Sequence, residues 1–82
     1  MNNREIVREY VTKVLRENKD DTAPVRDQDS LVLSGRLSSL DVVDVLTFLE
    51  GRFDFSIDPN QFDQANFDSI EKIVSLLEAA PR

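Results

Sequence analysis

Apolar residues recur at helical spacing in three separate stretches of this chain, 3–19, 39–53 and 69–79. Positions three and four residues apart lie on one face of an α-helix, so each stretch predicts a helix with a single apolar face. In chain order, the apolar positions are Ile6, Val7, Tyr10, Val11, Val14 and Leu15, then Leu40, Val43, Leu46, Leu49 and Phe53, then Ile70, Ile73, Val74 and Leu77. No segment alternates apolar and polar residues convincingly enough to predict a strand, so the predicted fold class is all-α.

The start of the second helix is predicted in detail. Ser38 is placed to cap the helix, and Asp41 three residues later completes a shortened capping box. Ser39 is then the first helical residue, and its hydroxyl is expected to be free and to point to solvent. A helix N-terminus stabilises an attached phosphate because it has unpaired N–H groups and the positive end of the helix dipole. Ser39 is thus well placed to bear a phosphodiester, although a serine at a helix start more often serves only as a cap.

Two further elements are predicted after the second helix. Asp58 can cap a short helix over 59–64. Asp68, as N-cap, and Glu71 have the spacing of a capping box for the last helix, which Pro81 ends. Together, the three longer helices and the short one predict a small helical bundle with one long crossover loop.

The connection between the first two helices is long, since it spans roughly twenty residues, and loops of this length are often functional. Its apolar run, residues 31–33, is expected to enter the core, and Gly35 after the run can supply a turn with positive φ. Ser30 in this loop also stands between an aspartate and a leucine. No helix begins there, so Ser30 is not expected to carry a modification.

Cysteine and histidine are absent from the 82 residues. Disulfides, thiolate metal sites and Cys or His nucleophiles are therefore excluded, and an enzyme is not expected. A chain of this length predicts a single domain, here residues 1–82. The N-terminal residues are charged, so neither a signal peptide nor a membrane span is predicted, and a cytoplasmic location is the default.

Charge is unevenly distributed along the chain, whose net charge is −6. Residues 1–19 contain five basic and three acidic side chains, whereas residues 20–82 contain five basic and thirteen acidic ones. This acidity disfavours nucleic acid and anionic membranes as partners and favours proteins with basic patches, although it can also serve only to keep a small domain soluble. The stretch from Asp58 begins like a calcium loop, but Phe62 and Asp63 break the required pattern, so no metal site is expected.

Residues 35–46 read GRLSSLDVVDVL, and similar positions continue as far as Asp54. This segment resembles the prosthetic-group region of acyl carrier proteins. The resemblance implies a four-helix bundle with a long loop between the first two helices, and a 4′-phosphopantetheine group attached to Ser39 and donated from coenzyme A. It also implies a surface for partner enzymes that comprises Leu40, Asp41, Val42, Val43, Asp44 and Thr47.

A protein of this family holds an acyl or aminoacyl group as a thioester on the phosphopantetheine thiol, which explains how a chain without cysteine can do so. The implied partners are a phosphopantetheinyl transferase, a ligase that loads the acyl or aminoacyl group, and a synthase or transferase that uses it, in fatty acid or specialised lipid biosynthesis. A monomer is expected. The alternative is an unmodified helical adaptor that binds partners through the acidic second helix.

Two positions depart from the family pattern. Ser38 stands where an aspartate usually precedes the modified serine, which bears on recognition by the transferase. Gly51 and Arg52 interrupt the acidic run at the end of the second helix, which bears on the choice of partner. Residues 59–63 and 67–69 are more similar to D-alanyl carrier proteins and other stand-alone specialised carriers, and their phenylalanines are also expected to be core residues.

Overall fold

The computed structural model describes residues 2–58, 60 and 62–79, and these residues contain three α-helices and a short 3-10 helix. The helices are α1 (Asn3–Lys19), α2 (Ser39–Phe53), the 3-10 helix (Gln64–Phe67) and α3 (Ile70–Ala79). No strand occurs in this part of the chain, and the predicted all-α class is confirmed. α1 and α2 have the predicted bounds, whereas α3 begins one residue later than predicted.

The α-helices enclose one hydrophobic core, with α1 packed against both α2 and α3. The buried apolar side chains of the helices are Val7, Val11, Val14 and Leu15 from α1, Val42, Val45 and Leu49 from α2, and Ile70, Ile73, Val74 and Leu77 from α3. Each of these contributes on the order of 1.5–3 kcal/mol by leaving water, which is the main stabilising term in a chain without disulfides. None of the described helices is both long enough and apolar enough to cross a membrane.

α2 faces the core with only part of the predicted stripe, since Leu46, Leu49 and Phe53 contact the core but Leu40 and Val43 do not. Val42, Val45 and Leu49 are buried, whereas Leu40 is 82% exposed and Val43 is 50% exposed. The first half of this helix carries apolar residues on two overlapping stripes, so periodicity alone does not select between them. Packing against the rest of the bundle turns Val42 and Val45 toward the core and leaves Leu40 and Val43 in solvent.

The connection between α1 and α2 is held to the core by the buried side chains of Val25, Leu31 and Leu37. Gly35 has a φ of +84°, as expected for its turn, and its N–H donates a 3.1 Å hydrogen bond back across that turn. The turn directs Leu33 outward, and this side chain is 87% exposed. The prediction that all of residues 31–33 enter the core is therefore wrong for Leu33.

Asp68 joins this connection to the end of the 3-10 helix. Its carboxylate accepts hydrogen bonds from the Ser30 hydroxyl at 3.0 Å and from the N–H groups of Val32 and Leu33 at 2.9 Å each. Its carbonyl accepts a fourth bond from the Leu31 N–H at 2.6 Å. The long connection is thus fixed through three consecutive backbone N–H groups, all of which donate to a single residue.

Asp68 is not the N-cap of α3, contrary to the sequence-based prediction. Ser69 caps the helix instead, since its hydroxyl accepts a 3.1 Å hydrogen bond from the Lys72 N–H. The Asp68 carboxylate is engaged by the loop, which a local sequence pattern does not reveal. Burial would raise the pKa of Asp68, but the hydrogen bonds from the loop and the positive charge of Lys72 lower it below its usual value. Pro81, predicted to end this helix, lies outside the described residues.

The short helix predicted at 59–64 lies partly outside the described residues, and its position is corrected by those that are described. Residue 60 has 3-10 geometry, but residues 62 and 63 are not helical. Asp63 instead caps the following 3-10 helix by accepting a 3.0 Å hydrogen bond from the Ala65 N–H. Phe67 in that helix is buried, as predicted.

Candidate attachment site

The first turn of α2 has the predicted capping box. The Ser38 hydroxyl accepts a hydrogen bond from the Asp41 N–H at 3.2 Å, and the Ser38 N–H donates to the Asp41 carboxylate at 2.9 Å. Ser39 is therefore the first residue of the helix, as predicted. The N–H groups of Ser39 and Leu40 lie in the first turn, where a helix offers no backbone acceptor.

The Ser39 side chain is exposed, as predicted, but its hydroxyl is not free. The side-chain amide of Gln64 donates a 3.1 Å hydrogen bond to Ser39 Oγ. A serine hydroxyl has one proton to donate and two lone pairs that accept, so this bond leaves the proton and one lone pair available. The oxygen can therefore still act as a nucleophile once an external base takes its proton.

Asp41 is buried, with 5% of its surface exposed, and its carboxylate contacts the C-terminal end of α1. It accepts a 3.3 Å hydrogen bond from the Asn18 amide and lies 3.4 Å from the Lys19 ammonium at the end of α1. Burial would raise the pKa of Asp41, but hydrogen bonds from Ser38 and Asn18 and the charge of Lys19 lower it below its usual value. The carboxylate is thus ionised and partnered, and Lys19 offsets its repulsion of an anion at Ser39.

Four of the six residues predicted to contact partners share one exposed face of α2. Leu40, Val43, Asp44 and Thr47 are exposed and follow one another at helical i, i+3, i+4 and i+7 spacing. Val42 is fully buried and Asp41 is 5% exposed, so neither side chain forms part of this exposed face. Both belong to the stripe that packs inward, which the resemblance by itself does not distinguish from the outer one.

Asp44 on this face is held by α1. The Tyr10 hydroxyl donates a 2.7 Å hydrogen bond to Asp44, and the Tyr10 ring stacks on Phe48 with centroids 3.8 Å apart. The hydrogen bond to Asp44, partial burial and the nearby carboxylate charge together raise the pKa of Tyr10 to about 12. Neither this pair nor the bond from Gln64 to Ser39 was found by sequence reasoning, because 34 and 25 residues separate the partners.

The N-terminal end of α2 fits an attached phosphodiester. The Ser39 hydroxyl is accessible, two first-turn N–H groups have no partner within the helix, and Asp41, two residues later, is buried and paired with Lys19. A phosphopantetheine group on this oxygen would supply the thiol that the chain lacks. Within residues 2–58, 60 and 62–79, no three acidic side chains gather into a group that could hold a metal ion.

Comparison with known proteins identifies the family. The family model described as phosphopantetheine attachment site matches residues 5–77. A chain in the crystal structure of the Bradyrhizobium japonicum glycine:[carrier protein] ligase complexed with glycylated carrier protein is 31% identical, with a TM-score of 0.70 over 90% of this chain and 96% of that chain. A holo acyl carrier protein from Nitrosomonas europaea, solved by NMR, is 29% identical, with a TM-score of 0.71 over 95% and 94% of the two chains. No curated protein matches this sequence.

The three matches agree with the site geometry. The family model extends from α1 into α3, and the two structural matches cover nearly the full length of both chains compared. Each match concerns a protein or domain that carries phosphopantetheine or a carried group, and the helix that offers Ser39 lies within the matched region. The chain therefore belongs to the acyl carrier protein family and is a carrier with a covalently attached phosphopantetheine group.

Proposed function

We propose that Ser39 is the attachment residue and that the protein carries an aminoacyl or acyl group as a thioester on the arm. The observation that carries this proposal is the exposed hydroxyl at the first residue of α2, inside the matched attachment domain. The two competing serines are engaged elsewhere. Ser38 Oγ caps the helix, and the Ser30 hydroxyl donates to Asp68 in the loop.

The side chains around Ser39 indicate which catalytic group the transferase must supply. Attachment forms a bond from Ser39 Oγ to the phosphorus of the phosphopantetheine half of coenzyme A, and the phosphoanhydride bond to the 3′,5′-ADP half breaks. The serine proton needs a base. The chain has no histidine, and the carboxylate of Asp41 is turned inward against Ser38 and Lys19. The transferase therefore supplies the base, and the carrier supplies an accessible oxygen at the positive end of a helix.

An aminoacyl group is the cargo that we favour. The support is the likeness to a chain from a structure in which a ligase is complexed with glycylated carrier protein. A partner of this kind is a ligase that activates a small amino acid and transfers it to the arm thiol. A fatty acyl or hydroxyacyl cargo is the other candidate, supported by the likeness to an acyl carrier protein.

The exposed face of α2 is the surface that we propose for docking. Leu40 and Val43 offer apolar area next to Ser39, and Asp44 adds a negative charge on the same face. Apolar contacts at the centre of an interface contribute affinity, and charges beside them raise the encounter rate and the specificity. The partner surface that fits is an apolar pocket with a basic side chain at its edge.

Intact-mass spectrometry tests the attachment residue. The protein is incubated with a phosphopantetheinyl transferase and coenzyme A, and it is expected to gain the mass of one phosphopantetheine group. Ser39→Ala should abolish the gain, whereas the control Ser30→Ala should keep it. A mass gain in the Ser39→Ala variant would show that the arm is attached to another residue. The absence of a mass gain in the wild-type protein with any transferase would favour the helical adaptor.

The cargo is tested on the loaded arm. The modified protein is incubated with ATP, an amino acid and an amino acid:carrier protein ligase, and a second mass increase equal to one aminoacyl group is expected. Hydroxylamine should release that group, because thioesters react with it readily. Loading by an acyl ligase with a fatty acid, in place of an amino acid, would favour the acyl cargo.

A further inference from the structure

A side chain from outside α2 contacts the oxygen proposed for attachment. Gln64 is the first residue of the 3-10 helix, and its amide donates the 3.1 Å hydrogen bond to Ser39 Oγ. Neither residue needs this bond for its own helix. Ser38 and Asp41 already cap α2, and Asp63 caps the 3-10 helix. The contact therefore has no evident role in forming either element.

We propose that Gln64 is a positioning residue for the attached arm. Its side-chain amide donates to the Ser39 hydroxyl before modification and to a non-bridging oxygen of the phosphodiester afterwards, so that the start of the arm is restrained beside the 3-10 helix. This proposal rests on the proposed attachment at Ser39. It adds to that attachment a residue that holds the product.

The change of acceptor follows from the chemistry of the serine oxygen. When Ser39 Oγ becomes an ester oxygen it loses its proton, and its electron density is drawn toward phosphorus. The non-bridging oxygens share a negative charge, and hydrogen bonds to charged acceptors are roughly twice as strong as those between neutral groups. They are separated from Oγ only by the phosphorus atom, so an amide that already reaches Oγ needs only side-chain torsion changes to reach them.

The surroundings of Gln64 hold it ready for this contact. Asp63 fixes the start of the 3-10 helix through its bond to the Ala65 N–H, and Phe67 anchors the other end in the core. Gln64 itself is half-buried, which limits the number of conformations that its long side chain can adopt. An amide held in this way pays less entropy for each hydrogen bond than a freely moving one.

The lack of charge on the Gln64 side chain also suits it to holding the phosphodiester. A lysine at this position would bind the phosphate more tightly and add a charge beside the partner surface, whereas a glutamate would repel the phosphate. The amide donates without adding charge, so the arm is restrained while the acidic character of the surface is retained. This distinction supplies the Gln64→Glu variant for the test.

NMR spectra of the phosphopantetheine-loaded protein test the proposal. The side-chain amide signals of Gln64 in the 15N-labelled protein are compared before and after modification, together with the 31P signal of the phosphodiester. We expect one Gln64 amide proton to move downfield on modification, as a stronger acceptor requires. Gln64→Ala and Gln64→Glu should both move the 31P signal toward that of a short phosphopantetheinylated serine peptide and narrow it.

Asn66→Ala is the matched control, since Asn66 is an exposed amide in the same 3-10 helix. It should leave the 31P signal unchanged. Mass spectrometry of each sample shows first that the arm is attached, so a failure of attachment is seen separately from a failure of positioning. If the arm is attached and the Gln64 amide signal does not move, or if Gln64→Ala and Asn66→Ala give the same 31P signal, Gln64 does not position the arm.

Discussion

The Tyr10 hydroxyl donates a hydrogen bond to the Asp44 carboxylate at 2.7 Å, and this bond joins α1 to the exposed face of α2. The stacked rings of Tyr10 and Phe48 lie beside it, with an angle of 7° between their planes. The two contacts oppose rotation of α2 about its axis. They therefore help to keep the side of α2 that bears Leu40 and Val43 facing solvent, where a partner can reach it.

Titration of the phenol tests this link directly, because Tyr10 is the only tyrosine and the chain has no tryptophan. Absorbance of the phenolate should give a pKa of about 12 in the folded protein, compared with the ordinary value of 10.0. Asp44→Asn should lower this pKa toward 10.0, because it replaces the carboxylate that accepts the phenol hydrogen bond with a weaker, neutral acceptor and also removes the negative charge that disfavours phenolate. The matched control, Asp54→Asn, removes an exposed carboxylate at the end of α2 and should leave the pKa unchanged.

The same shift predicts how stability depends on alkaline pH. The pKa of Tyr10 is higher in the folded state than in the unfolded state, so the stabilising contribution of the protonated phenol is fully present below pH 10.0. It is lost as the pH rises through about 12. A wild-type titration at the ordinary value would show that the bond to Asp44 does not form in solution.

Removal of the Asp68 carboxylate should destabilise the fold. Asp68→Ala leaves the partly buried N–H groups of Val32 and Leu33 without their acceptor, and we expect a loss of about 2–3 kcal/mol in the free energy of unfolding. Ser30→Ala removes only one donor and should cost about 1 kcal/mol or less. Urea denaturation measures both.

Glu78→Gln is the control for Asp68→Ala, because Glu78 is an exposed residue of α3. It should change the free energy of unfolding by less than about 0.5 kcal/mol. The dependence of the free energy of unfolding on acidic pH provides a second measurement. The folded-state pKa of Asp68 is lowered, so its stabilising contribution is present above the ordinary value of 3.8 and is lost as the pH falls through the folded-state value. Asp68→Asn should therefore flatten the acid side of the stability profile, and an unchanged profile would contradict the role of this carboxylate.

Replacement of two neighbouring apolar residues should separate stability from binding. Val42 is fully buried and Leu40 is 82% exposed. Val42→Ala should lower the free energy of unfolding by about 2 kcal/mol through the cavity that it leaves. Leu40→Ala should change it by less than about 0.5 kcal/mol.

Affinity for the loading ligase should show the opposite pattern. Leu40→Ala removes an exposed apolar side chain beside Ser39 and should weaken binding by more than about 1 kcal/mol, as measured by calorimetry. Val42→Ala should bind as wild type at a temperature where it remains folded. If Leu40→Ala bound normally, the partner surface would have to be sought away from the exposed face of α2.

Ser38 should be replaceable by other capping residues but not by alanine. Ser38→Ala removes the acceptor for the Asp41 N–H and should cost about 1 kcal/mol, whereas Ser38→Asn keeps a side-chain oxygen and should cost a few tenths. Thermal unfolding measures both. Equal losses in the two variants would mean that the hydroxyl does more than cap the helix.

Local patterns were sufficient for much of the site. The bounds of α1 and α2, the capping box of Ser38 with Asp41 and the position of Ser39 at the first turn all depend on contacts within four residues. Such contacts are encoded by spacing and residue type, and they do not depend on the rest of the fold. The resemblance to carrier proteins around Ser39 was readable for the same reason, because it lies in one continuous segment.

The predictions failed where one residue has competing partners at different distances along the chain. Asp68 has the right spacing to cap α3, yet its carboxylate accepts hydrogen bonds from loop residues as far as 38 positions away. Ser69 caps the helix instead. Leu40 and Val43 fit an apolar stripe as well as Val42 and Val45 do, and only contact with the other helices distinguishes the two stripes.

The sequence by itself determined the helical class, the start of α2 and the serine that the helix presents, because each follows from short-range hydrogen bonds and from apolar spacing. Only the tertiary structure decided which side of α2 faces solvent, that Tyr10 holds Asp44 and that Gln64 reaches Ser39. These are contacts between elements more than twenty residues apart. They depend on how the helices are rotated and packed in the core, and no local pattern records that rotation.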